Sequence, residues 1–116
     1  MGTSGTAMRF ELNVVGEFTD TPGPRKREEG THSGEQFLND LLRPRFVAAK
    51  AAGHMLRVNL DGAVGYPTSF LEEAFGGLAR EFGSDEVDRK LEIKCNDEPY
   101  LEQQIRKYIR EAKQTR

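Results

Sequence analysis

At 116 residues the chain has the usual size of one domain, enough for a single modest core and too little for two ordinary ones. Leu, Ile, Val and Phe make up 26 of those residues, about 22%, just above the roughly 20% below which a charged chain tends to stay disordered. No apolar run approaches the roughly 20 residues of a membrane-spanning helix, and a net charge of -2, from 17 basic and 19 acidic side chains, gives no bulk attraction to nucleic acid or acidic lipid.

Met1 to Ala7 is small and polar and reads as a flexible lead to a domain over residues 8–116. It lacks the basic head and apolar stretch of a secretory signal. From Met8 to Phe18, Phe10, Leu12 and Val14 alternate with Arg9, Glu11 and Asn13, the period of a strand, with Gly16 as a bulge or turn. Thr19 to His32 holds two prolines, two glycines and dense charge but no large apolar side chain. It is expected to be a long exposed loop, with or without a short edge strand, that adds almost nothing to a core.

Ser33 begins an S-x-x-Q capping box ahead of Phe37, Leu38, Leu41 and Leu42 at helical intervals, so a helix starts there. Pro44 is expected to kink or break it before Gly53 stops it. Met55 to Leu60 alternates as a second strand and ends at the turn Asp61-Gly62. Ser69 and Glu72 repeat the capping-box spacing, and Phe70, Leu71, Ala74, Phe75, Leu78 and Phe82 form one apolar stripe before Gly83. Gly76 and Gly77 inside that helix each cost up to about 1 kcal/mol against Ala, which points to close backbone packing on a sheet or a partner.

Ser84 is expected to cap a short helical turn to Lys90, and Leu91 to Cys95 to form a third strand. Asp97 is then expected to cap a last helix with Pro99 in its first turn. Leu101, Ile105, Tyr108, Ile109 and Ala112 share one face of it, and the cations of its C-terminal half complement the helix dipole. Strands alternating with helices predict a single α/β domain: a small mixed sheet, at least partly parallel, with three main helices packed against it.

Chemistry concentrates between Val58 and Leu78, where a strand and an acidic turn lead to two hydroxyls opening an amphipathic helix. A helix N-terminus presents unpaired amides and about half a positive charge, so Thr68 and Ser69 stand where a phosphoryl group is welcome. The same residues also read as plain capping, with Ser69 as N-cap, Glu72 closing the box, and about 1 kcal/mol lost on Ser69→Ala. Arg25, Lys26 and Arg27 are three consecutive cations with His32 close behind. They suit an anion or an acidic partner surface, or they simply compensate Glu28, Glu29 and Glu35 in a solvated loop.

No phosphate loop, dinucleotide fingerprint, nucleophile elbow or H-E-x-x-H motif is present in the sequence. Glu72 and Glu73 are adjacent on a helix and are expected to point apart, a poor acid/base pair. Cys95 and two histidines make neither an internal disulfide nor a good zinc site, and at the end of an apolar strand the thiol reads as buried and inert. No catalytic residue, metal or cofactor is expected, and a reducing cytoplasm suits the single thiol.

Three segments together, Gly23-Pro24-Arg25 with Gly30 to Phe37, Val58 to Gly62, and Thr68 to Leu78, resemble the bacterial STAS-like domain of unknown function. That family is a distant relative of the STAS domains of anti-sigma-factor antagonists and sulfate transporters. The resemblance spans roughly residues 8–112. It implies a STAS-like α/β fold and a non-enzymatic signalling role by protein–protein contact, with a kinase or ATPase-type regulator as partner and neither nucleic acid nor membrane. In the antagonists a serine at the start of the corresponding helix is phosphorylated and the partner is released. By position this falls on Thr68 or Ser69, with Asp61, Tyr66, Phe70 and Glu73 beside it as the implied face. Pro67-Thr68-Ser69-Phe70 stands here in place of the antagonists' Asp-Ser-Ser-Gly run. Two other readings stay open. One is an anion or nucleotide sensor whose Gly23–Ser33 loop, carrying Arg25, Lys26 and Arg27, closes over a ligand at the helix N-terminus. The other is a homo-oligomeric structural subunit.

Overall fold

The structure, a computed structural model, describes residues 10–113. The lead expected over 1–7, the Met8–Arg9 start of the first strand and residues 114–116 lie outside the described residues. Strand β1 (Phe10–Asn13) ends before Val14, earlier than its alternation predicts, and passes directly into a helical turn, α1 (Val14–Glu17), so Gly16 lies within a helix and not at a bulge. The Glu17 carboxylate accepts the Asn13 amide at 3.0 Å and the Val14 carbonyl accepts the amides of Phe18 and Thr19. These bonds curl the chain out of the sheet.

Helix α2 runs continuously over 34–52, as Gly34–Phe37, a π-helical turn Leu38–Leu42, and Arg43–Ala52. Ser33 caps it as expected, its Oγ accepting the Gln36 amide at 3.0 Å. Pro44 does not break it. The wide turn shifts the hydrogen-bond register just before the proline, which then occupies the first turn of a fresh α-helical segment, where no amide hydrogen is needed. Strand β2 (Leu56–Asn59) follows, then α3 over 68–82, again with a π-helical centre: Thr68–Leu71, Glu72–Gly76 and Gly77–Phe82. Helix α4 (Ser84–Lys90), strand β3 (Leu91–Lys94) and helix α5 (Tyr100–Glu111) complete the chain.

Three expected caps are absent. Pro67 occupies the N-cap of α3, leaving Ser69 inside the helix. Ser84 donates to the carbonyl of Ile109 at 2.7 Å, tying α4 to the end of α5. Asp97 accepts the Gly62 amide at 2.8 Å, and α5 begins after Pro99.

The sheet order is β1-β2-β3 and every described pairing is parallel, where a mixed sheet was expected. Both crossovers step to the adjacent strand, and crossovers of one hand then place their helices on one face. Burial agrees: Leu12, Leu56, Val58, Leu91 and Ile93 are buried on that face. The opposite face carries two polar rows in register, Glu11–Arg57–Glu92 and Asn13–Asn59–Lys94. Phe37, Phe46, Phe70 and Phe75 fill the core with the leucines. Helices α2 and α3 meet closely because Gly34 and Gly77 have no Cβ. One built at Gly34 would stand 2.7 Å from the Phe70 carbonyl oxygen, and one at Gly77 2.7 Å from Leu38 Cδ2. Gly77 therefore packs against a helix rather than against the sheet, while a Cβ on Gly76 would meet the Glu72 carboxylate of its own helix at 2.9 Å. Cys95 is buried as expected, and burial pushes its thiol pKa up. Among the described residues no helix is long and apolar enough to cross a membrane.

Candidate interaction face

Strand β2 delivers the chain to a loop that its own side chains tie down. The Asp61 amide is held by Asn59 Oδ1 at 3.0 Å, and the Tyr66 hydroxyl donates to the Leu60 carbonyl at 2.8 Å. The Asp61 carboxylate accepts the Asp97 amide at 2.9 Å and pairs with Lys94 at 3.2 Å. The amide, then the lysine, outweigh burial and hold that carboxyl below its ordinary range. Burial and the carboxylates of Asp61, Glu98 and Asp97 push the Tyr66 phenol well up, so it stays a hydrogen donor. The loop before α3 is thus locked to the loop after β3.

Helix α3 opens at Pro67, whose side chain offers no acceptor, and among the described residues no side chain caps its first amides. Thr68 is exposed there and Ser69 half-buried. One turn further, Glu72 and Glu73 do not point apart as expected. The wider π-helical turn brings both carboxylates to Arg25. Glu72 lies between Arg25 and Arg80, with Arg80 Nη1 at 2.8 Å. Glu73 reaches Lys26 Nζ at 3.1 Å and Arg25 at 3.4 Å. Burial raises the Glu72 carboxyl, but the hydrogen bonds from Arg80 and Arg25 prevail and hold it below 4.5.

Residues 19–32 are therefore a built strap and not an open loop. No strand forms in it, only a 3-10 turn at Arg27–Glu29. Its ends meet where the Gly23 amide donates to the His32 carbonyl at 2.9 Å, at a spacing where a Cβ on Gly23 would sit 2.3 Å from the Thr31 oxygen. The amides of Gly34 and Glu35 donate to the carbonyls of Pro24 and Arg25. Thr19 and Pro22 are buried, and His32 sets its ring edge-on to Phe18 at 5.2 Å. Arg27 pairs with Asp40 at 2.8 Å. Each of the three strap cations thus holds a carboxylate of the protein itself. Among the described residues no group of three or more His, Cys, Asp or Glu side chains is placed to hold a metal ion.

A family model described as a STAS-like domain of unknown function matches residues 33–101, more than half of the chain. The chain belongs to this family. No curated protein and no solved structure matches it. The match opens at Ser33, the cap of α2, and ends in the first turn of α5, so β1 and the strap precede it.

Within this STAS-like domain the expected face divides in two. Thr68 and Ser69 form the start of α3 and Tyr66 leads into it, while Asp61 is turned to Lys94 and the Asp97 amide beyond β3. Phe70 lies in the core, fully buried and stacked on Phe37 at 5.6 Å, and Glu73 is covered by Lys26. Neither lies on the open surface expected of it. Arg80, Lys94 and Asp97 complete the arrangement, and sequence reasoning did not find them. Arg80 sits two turns beyond Glu72 on α3 and so was legible in the spacing. Lys94 and Asp97 approach Asp61 only through the β2–β3 register, which no local pattern encodes.

Proposed function

We propose that this STAS-like domain is a non-enzymatic regulatory module that makes reversible contact with another protein, a kinase or ATPase-type regulator, through the start of α3. A phosphoryl group on Thr68 or Ser69 switches the contact. The observation that carries this reading is the uncapped helix N-terminus with an exposed threonine in its first turn. A phosphoryl group there brings about -1.5 to -2 charges and three strong acceptors to amides and a dipole that favour them. The anchored Asp61–Tyr66 loop gives that change a rigid base, so it alters the surface and not the fold. Because Arg25, Lys26 and Arg27 already hold carboxylates, a protein surface is favoured over a free anion as the ligand.

The test is mass spectrometry of the complex isolated from the native cell, with phosphopeptide mapping of residues 58–80. One stoichiometric partner, bound to chain unmodified at Thr68 and Ser69, with the phosphoryl group confined to unbound chain, is the expected result. Recovery of the chain alone and unmodified overturns the reading.

A further inference from the structure

We propose that the free edge of β3 pairs antiparallel with β3 of a second copy, about a two-fold axis at Ile93. The Leu60 amide donates to the Lys94 carbonyl at 2.8 Å, so Lys94 and Glu92 direct their backbone groups toward β2. Because backbone direction alternates along a strand, Leu91, Ile93 and Cys95 direct theirs to the outer edge. Among the described residues β3 is the last strand of the sheet. A groove of about 420 Å³ runs beside it, lined by Glu92, Ile93, Lys94, Cys95, by Pro99 at the N-cap of α5 and by Glu102 within it, and reaching Arg57. Arg106 donates to the Leu91 carbonyl at 2.8 Å and marks the end of the open stretch.

Charge complementarity selects the occupant. Antiparallel pairing centred on Ile93 lets that residue exchange two backbone hydrogen bonds with its symmetry mate. Glu92 then stands opposite Lys94 of the other copy, and Lys94 opposite its Glu92. These are non-hydrogen-bonded positions, where side chains approach closest. The self-match is what a two-fold interface requires. On the polar face it continues the Glu11–Arg57–Glu92 row into the partner with its charges still alternating. Counted over the described residues, two three-stranded sheets become one of six strands, near the usual width.

The test is sedimentation equilibrium of the full chain as wild type, Glu92→Lys, Lys94→Glu and the double exchange, with thermal unfolding run on each. Wild type is expected to dimerise. Each single exchange sets like charges opposite one another at both symmetric positions and weakens association by about tenfold or more, whereas the double exchange restores most of it. Independently, chain carrying Glu92→Cys mixed with chain carrying Lys94→Cys, both with Cys95→Ala, is expected to oxidise to a mixed dimer faster than either forms alone. Three results overturn the proposal: wild type monomeric at about 1 mM, a dimer indifferent to the single exchanges, or no preference for the mixed disulfide.

Discussion

Ser33 and Ser69 share a capping-box spacing, yet the chain enters the two helices differently. Ser33 has extended backbone and a fully buried side chain that accepts the Gln36 amide. At α3 the extended position belongs to Pro67, two residues before Ser69, which is already inside the first turn. Ser33→Ala is therefore expected to cost about 1 kcal/mol and Ser69→Ala less than about 0.5 kcal/mol, as read from urea midpoints at constant slope. Loss of partner binding in Ser69→Ala would then report on the contact and not on the fold. The glycines separate by what faces them. At Gly34 a methyl group meets backbone, the Phe70 carbonyl oxygen, which cannot withdraw without moving α3. At Gly77 it meets the end of the Leu38 side chain, which can swing. Gly34→Ala is expected to lose about 1–3 kcal/mol. Gly77→Ala loses less, since the helix gains up to about 1 kcal/mol from alanine. Thermal unfolding of the two variants should rank them in that order.

The strap is held to α3 by carboxylates, which gives it a pH dependence separate from that of the core. Glu72 has a folded pKa below its ordinary 4.5, so its pairs with Arg80 and Arg25 contribute fully above about pH 4.5 and are lost as pH falls through the folded value. With both side chains of the Arg25–Glu72 pair about one-third exposed, the contribution is under about 1 kcal/mol. Glu72→Gln at neutral pH is expected to lower hydrogen-exchange protection of the Gly34 and Glu35 amides by less than about fivefold, leaving Leu56 and Val58 unchanged. Equal loss in the strap and the sheet would mean that the strap does not open on its own. Elements with strong periodicity were legible in sequence: α2, β2, α3, β3 and α5 all stand near their expected places. The strap was not, because its order comes from ion pairs 47 or 48 residues apart in sequence. Nor were the π-helical turns, which arise where two helices pack around Gly34 and Gly77 and which no single-helix period specifies. The helix start at Thr68 was found within two residues. The inward turn of Phe70 was legible in the apolar stripe of α3, and its buried position shows that it could not also belong to the face around Thr68 and Ser69.

Across the whole molecule, sequential crossovers leave a parallel sheet with helices on one side and polar rows on the other, whereas parallel sheets are ordinarily covered on both faces. The stability of such a fold must come from one layer of contact, so substitutions along a single strand should alternate sharply in effect. In β2, Leu56 is fully buried against the helices, while Arg57 lies on the polar face, paired with Glu92 at 3.1 Å but with its buried Nε unpartnered. Leu56→Ala is expected to cost about 2–5 kcal/mol through lost burial and the cavity left behind. That is a large share of the roughly 5–15 kcal/mol that a domain of this kind has in total. Arg57→Met keeps the aliphatic stem over the sheet and removes the unsatisfied nitrogen, so the change should lie within about 0.5 kcal/mol of zero or be stabilising. Urea unfolding of both variants decides the matter. A cost for Arg57→Met comparable to that of Leu56→Ala would mean that the polar face is itself a packed layer and that the one-sided account of the fold is wrong.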